Sequence, residues 1–312
     1  MKRVSHIAVF ATIAATLATG PAFAADTSLA LVLGVKGSPF YEAMACGAKA
    51  KAAELGIDLT VSASDQWGPD QQIPIVNAIA AAKPTAAAIV PVDAQALIAP
   101  MKQLDSLGIH VLTADQTIND DSFVKTRIVT DNKEGGKRAA IAMNELLAGK
   151  GKVVVMTNPP GTTAQDERTA GFEAEIKGYP GITYLGQQFY TNPQQATEMI
   201  TAILAKDPDV AGIFVTNDLG AIGAVTGLRQ ANAGAVKVVA YDAAGPEVSA
   251  LKNGQIHALI AQDPRREGEL AVETAAALAA GKPVEKTTFT EIVTIKASEP
   301  EMADKYEYKA GC

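Results

Sequence analysis

Aromatic residues make up only 5% of this 312-residue chain, histidine occurs three times and cysteine twice. Each scarcity excludes something. His6 sits in the leading segment, and His110 and His257 fall at the starts of predicted strands, so histidine acid–base chemistry has no constellation to work in. Two distant cysteines and two usable histidines argue against a zinc site. There is no H-E-x-x-H, C-x-x-C or G-x-S-x-G. Gly135-Gly136 lacks the surroundings of a phosphate loop, and close helix packing is its plainer reading. With no nucleophile, base or cofactor loop, the residues point away from an enzyme. Lys and Arg number 27 against 34 Asp and Glu. They nowhere cluster, which argues against nucleic acid as a partner.

The one long uncharged apolar run is at the start. Lys2-Arg3 precedes IAVFATIAATLATG, and Ala22-Phe23-Ala24 follows, which reads as a secretory signal cleaved after Ala24. No later segment approaches about 18 apolar residues. Without 1–24 the chain has 288 residues and, with Lys2 and Arg3 gone, a formal charge of −9 instead of −7. That length suits two domains. Export also bears on Cys46 and Cys312: in an oxidising compartment such a pair bridges. The alternative is two unrelated thiols, with Cys46 a small helix residue.

Short apolar runs alternate with helical patterns throughout. Strands are predicted at 29–33, 57–61, 86–90 and 111–113, with helices at 40–55, 71–83 and 94–107. The rhythm restarts with strands at 153–156, 184–185, 212–215 and 236–240 and helices at 134–148, 164–177, 193–205 and 219–232. A crossover is expected near 128–132, and a strand at 258–262 followed by a helix at 265–280 returns the chain to the first lobe. One last strand, 290–295, precedes a polar tail. This predicts an α/β fold of two Rossmann-like lobes with parallel sheets of four or five strands, joined by short hinge strands.

Ligands in such sheets bind beyond the carboxyl ends of the strands. Ser38-Pro39-Phe40-Tyr41 opens the first helix there, with Ser suited to the cap and Pro to the first turn. Aromatic faces pack against the C–H patches of a sugar, while fixed polar groups meet its hydroxyls. Asp115 and Asp242 each end a strand and offer charged acceptors. Arg168, on the helix after 158–163, offers a forked donor.

In order and spacing, GSPFYEAMACGAKAKAAELGI, PVD at 91–93, AD at 114–115, TDNKEGG, GTTAQDERTAGF, TND at 216–218, VVAYDAAGPE and ALIAQDPRREG resemble the periplasmic sugar-binding proteins of ABC transporters, in the group of ribose-binding protein. The resemblance runs from about 29 to 295. It implies a type I periplasmic binding protein with three hinge crossings: 25–130 plus 263–290 in the first lobe, 131–262 plus 291–300 in the second, and 301–312 as a tail. It implies one small ligand, no cofactor, a monomer, and a membrane permease as partner. Carried over residue by residue, the site is Ser38, Phe40, Tyr41, Asp115 and Gln116 facing Arg168, Asn217, Tyr241, Asp242 and Gln262. Ser38 stands where ribose binders carry Asn, and Gln116 where they carry Arg. Thr191 falls at an expected aromatic, with Tyr190 beside it. These departures point to another monosaccharide or a polyol. A Cys46–Cys312 bridge also resembles a subset of this family. The same fold serves repressor cores, but a signal stands where their DNA-binding domain belongs. It also serves chemotaxis and signalling receptors, such as those for furanone autoinducers.

Overall fold

The computed structural model describes residues 27–309 and Cys312. The predicted signal, 1–24, lies outside the described residues. The first lobe begins with β1 (Ser28–Val35), α1 (Pro39–Leu55), β2 (Asp58–Ser64), α2 (Pro69–Ala82), β3 (Ala86–Ile89), α3 (Ile98–Ser106), β4 (His110–Ala114) and β5 (Thr126–Thr130). The second holds α4 (Asn132–Leu146), β6 (Gly151–Thr157), α5 (Thr163–Ile176), β7 (Ile182–Phe189), α6 (Pro193–Lys206), β8 (Val210–Val215), α7 (Asp218–Gln230), β9 (Lys237–Tyr241), α8 (Gly245–Lys252) and β10 (Ala258–Ala261). The chain ends with α9 (Pro264–Ala279), β11 (Thr287–Thr290), β12 (Val293–Lys296) and α10 (Pro300–Tyr306).

Two six-stranded sheets result, ordered β11-β5-β4-β3-β1-β2 and β12-β10-β9-β8-β6-β7. The first is parallel throughout, and in the second only β12 runs antiparallel, on β10. Central strands such as β3 are buried along their whole length because helices cover both faces. The predicted strand at 290–295 is in fact two. The chain leaves the first sheet at Thr290 and enters the second at Val293, so Glu291-Ile292 is a crossing between lobes. With β11 and β12 each sheet has six strands rather than four or five.

Glycines bring the helices that flank the site into backbone contact. A Cβ on Gly136 of α4 would overlap the Arg168 carbonyl of α5, and one on Gly268 of α9 would overlap the Met44 carbonyl of α1. The crossings β5 to α4, β10 to α9 and β11 to β12 lie together. Glu267, in the first turn of α9, accepts hydrogen bonds at 3.3 Å from both Thr130 and Thr290 and so ties its own crossing to the other two. Cys46 and Cys312 are joined by a disulfide.

Candidate functional site

The carboxyl ends of both sheets face one cleft of about 480 Å³, within the ~300–1,000 Å³ of small-molecule sites. Asp115 follows β4 and Asp242 follows β9, with φ of 59° and 89°. Non-glycine residues adopt this left-handed backbone only where their surroundings hold them, and such residues gather at functional sites. Each keeps its N–H on the neighbouring strand, Asp115 to Ile128 and Asp242 to Ile260, so the turn comes after the last ladder bond.

Asp115 Oδ2 accepts from the Tyr41 hydroxyl at 2.8 Å and from Gln116 at 3.3 Å. Asp242 Oδ1 accepts from Gln262 at 2.6 Å and from the Tyr308 hydroxyl at 3.1 Å, and its Oδ2 from the Asp218 N–H at 3.1 Å. Arg168 is 2% exposed. Its guanidinium donates to Asn132 Oδ1 at 2.8 Å, the Thr216 carbonyl at 2.8 Å and Gln262 Oε1 at 3.0 Å, and lies 3.7 Å above the Tyr241 ring. Asn217 caps α7 through Gly220 and accepts from Tyr190 at 2.8 Å. On the aromatic side Tyr41 stacks on Trp67, with centroids 6.3 Å apart, and meets Phe40 edge-on at 5.3 Å.

Charge is concentrated here. Burial pushes the Asp115 carboxyl up to about 6, and burial with the nearby Asp242 pushes Asp218 up to about 7. Burial alone would lower Arg168, but Tyr241, Asp242 and Asp115 outweigh it and hold it above its ordinary value. Burial, then Asp115, raises Tyr41 and keeps it a phenol donor.

Of the predicted residues, Ser38, Phe40, Tyr41, Asp115, Arg168, Thr191, Asn217, Asp242 and Gln262 line the cleft. Three stand behind it. Tyr190 is buried beneath Asn217, and Tyr241 lies beneath Arg168. Gln116 is turned to the other lobe: its Oε1 accepts from the Ala164 N–H and Thr163 hydroxyl of α5, and its Nε2 donates to Gln165. The lining also includes Gln66, Trp67, Asn158, Gln165 and Asp218. Gln66-Trp67 follow β2, and the strand-end rule applied to that strand finds them. Tyr308 has no such signal; it is 66 residues from Asp242. Among the described residues no cluster of His, Cys, Asp and Glu is arranged to hold a metal, and no helix is long and apolar enough to cross a membrane.

Two crossed-over lobes with a polar–aromatic cleft between them define a bilobal ligand-binding protein. Residues 29–283 match the family model for the periplasmic binding protein domain, and the chain belongs to that family. It is a substrate-binding protein and not an enzyme, and sugar binding is the role its relatives share. The ribose import binding protein of Salmonella typhimurium is 29% identical over 282 residues, covering 90% of this chain and 93% of that protein. An ABC transporter solute-binding protein from Agrobacterium vitis, bound with α-D-tagatopyranose, is 33% identical. The alignment covers 91% of this chain and all of that one, with a TM-score of 0.88. A glucose-galactose binding protein from Geobacillus stearothermophilus is 28% identical, with coverages of 88% and 98% and a TM-score of 0.83.

Proposed function

We propose that the protein is the periplasmic solute-binding component of an ABC import system. It captures a neutral monosaccharide or polyol between its lobes and delivers it, as a closed monomer, to a membrane permease. The composition of the cleft wall carries this reading. Phe40, Tyr41 and Trp67 offer ring surface, while Asp115, Arg168, Asn217, Asp242 and Gln262 offer fixed polar partners. A sugar needs both, C–H patches against rings and hydroxyls against charged acceptors and donors. The ribose, tagatose and glucose-galactose binders among the relatives support the class. Ser38, and a Gln116 engaged by the second lobe instead of lining the cleft, favour a sugar other than ribose. Contacts from both lobes bias the hinge equilibrium toward closure.

Melting the purified protein against D-tagatose, D-glucose, D-galactose, D-ribose and a set of polyols tests the reading. A true ligand at a hundred times its Kd stabilises by about 2.7 kcal/mol and raises Tm. A flat response across the panel would redirect the assignment to a non-sugar solute.

A further inference from the structure

The polar tail of the sequence is built into the molecule. α10 lies on α8 and β12 of the second lobe. Beyond it, Tyr308 is 5% exposed, and its N–H donates to the Ala243 carbonyl at 2.9 Å. Its hydroxyl donates to Asp242 Oδ1 and accepts from the Gln262 N–H, both at 3.1 Å. Its ring stands edge-on to Phe40 of the first lobe, with centroids 5.7 Å apart. Cys312 is then bonded to Cys46 on α1, also in the first lobe. The chain end therefore spans both lobes, a fourth connection beside the three crossings.

We propose that this disulfide-held strap is part of the binding apparatus. Tyr308 is the positioning residue for Asp242 and Gln262, so full affinity for solute exists only in the oxidised protein. The proposal rests on the cleft being the sugar site. Asp242 holds a left-handed backbone that persists only when over-determined, and Tyr308 supplies one of the three hydrogen bonds on its carboxylate. Gln262, whose side chain is seated between Asp242 and Arg168, donates its backbone N–H to the same phenol. Among the described residues from α10 onward only Ala303 and Tyr308 are buried, so burial alone offsets little of the entropy of ordering this segment. The disulfide makes its docking intramolecular. Closing it removes two electrons and two protons from the two thiols, passed by exchange to a disulfide donor of the oxidising compartment. In a reducing compartment the thiols stay apart, and export completes the site.

Tyr308→Phe isolates the hydroxyl, since the ring against Phe40 and the disulfide both remain. Cys46→Ser with Cys312→Ser releases the strap, and dithiothreitol followed by reoxidation does so reversibly in the unaltered chain. The probe is whichever sugar of the panel above gives the largest melting shift, D-tagatose being tried first. By calorimetry each change is expected to weaken binding about tenfold, as for a hydrogen bond to a charged group. Combining Tyr308→Phe with the serine pair should cost no more than the worse of the two, because both act through Tyr308. Binding by Tyr308→Phe unchanged within about twofold, or losses that multiply, would overturn the proposal. A second readout needs no sugar. Trp67 is the only tryptophan and ends the ring series Tyr308, Phe40, Tyr41, Trp67. Reduction of the ligand-free protein should increase its quenching by acrylamide, and reoxidation should restore the original value. Should no panel sugar bind, the sugar reading fails, and unchanged quenching then counts against the strap on its own.

Discussion

Arg168 reaches the cleft already oriented, clamped by three neutral acceptors and the face of Tyr241. Arg168→Ala is expected to weaken sugar binding by more than about tenfold, because charged donors in a closed site are worth roughly 1.5–3 kcal/mol. Arg168→Lys should not rescue it, since an ammonium cannot fill three forked positions. Calorimetry giving wild-type affinity for the alanine variant would remove Arg168 from the site. The buried acids give a second expectation. Asp115 and Asp218 titrate near 6 and 7 when folded, above the ordinary carboxylate range, so the native state holds protons that the unfolded chain has released. Their stabilising contribution is complete below about pH 4 and is lost as pH rises through 6 to 7. Thermal melts of ligand-free protein should show Tm falling across that window, with a shallower slope in Asp218→Asn. An identical slope in that variant would assign the effect elsewhere. Residues at strand ends, such as Asp115, Asn217 and Asp242, were legible in sequence because the βα rhythm locates those ends. Tyr308 was not, because its place depends on a chain end folding back across the cleft.

At the scale of elements, the side chain of Gln116 joins the lobes. It receives two hydrogen bonds at the start of α5, the helix that carries Gln165 and Arg168, so a first-lobe residue caps a second-lobe helix. The Ala94 N–H to Gly161 carbonyl bond, at 3.2 Å, adds a backbone link nearby. Gln116→Ala should enlarge the radius of gyration of the ligand-free protein and weaken sugar binding several-fold, as helix-cap loss at ~1 kcal/mol implies. Scattering profiles that superimpose would show that the latch does not govern closure. Most elements follow from periodicity and Gly or Pro stops, since local chemistry decides them: Gly56, for example, ends α1 at φ 66°. The division of 287–296 between two sheets was not legible, because both halves carry the same β-branched pattern and only tertiary pairing separates them. α10 likewise owes its place to α8 and β12 and not to a strong apolar face of its own.

As a whole, the molecule is acidic, with a formal charge of −7 over the full sequence, whereas the solute proposed for its cleft is neutral. Binding should therefore change by less than about twofold between roughly 0.05 and 0.5 M NaCl, because screening acts on long-range charge and not on a closed, hydrogen-bonded site. A steep salt dependence in calorimetric titrations would mark the solute as ionic. The hinge gathers its crossings around Glu267, whose carboxyl is raised well above the ordinary range by burial first and then by Asp115. The two left-handed aspartates also bear on how such a receptor changes allegiance. Their backbone disfavours nearly every replacement, β-branched residues most of all. On the proposed function, substitutions that change the solute are expected at Ser38, Gln66, Trp67, Thr191 and Leu219 sooner than at Asp115 and Asp242.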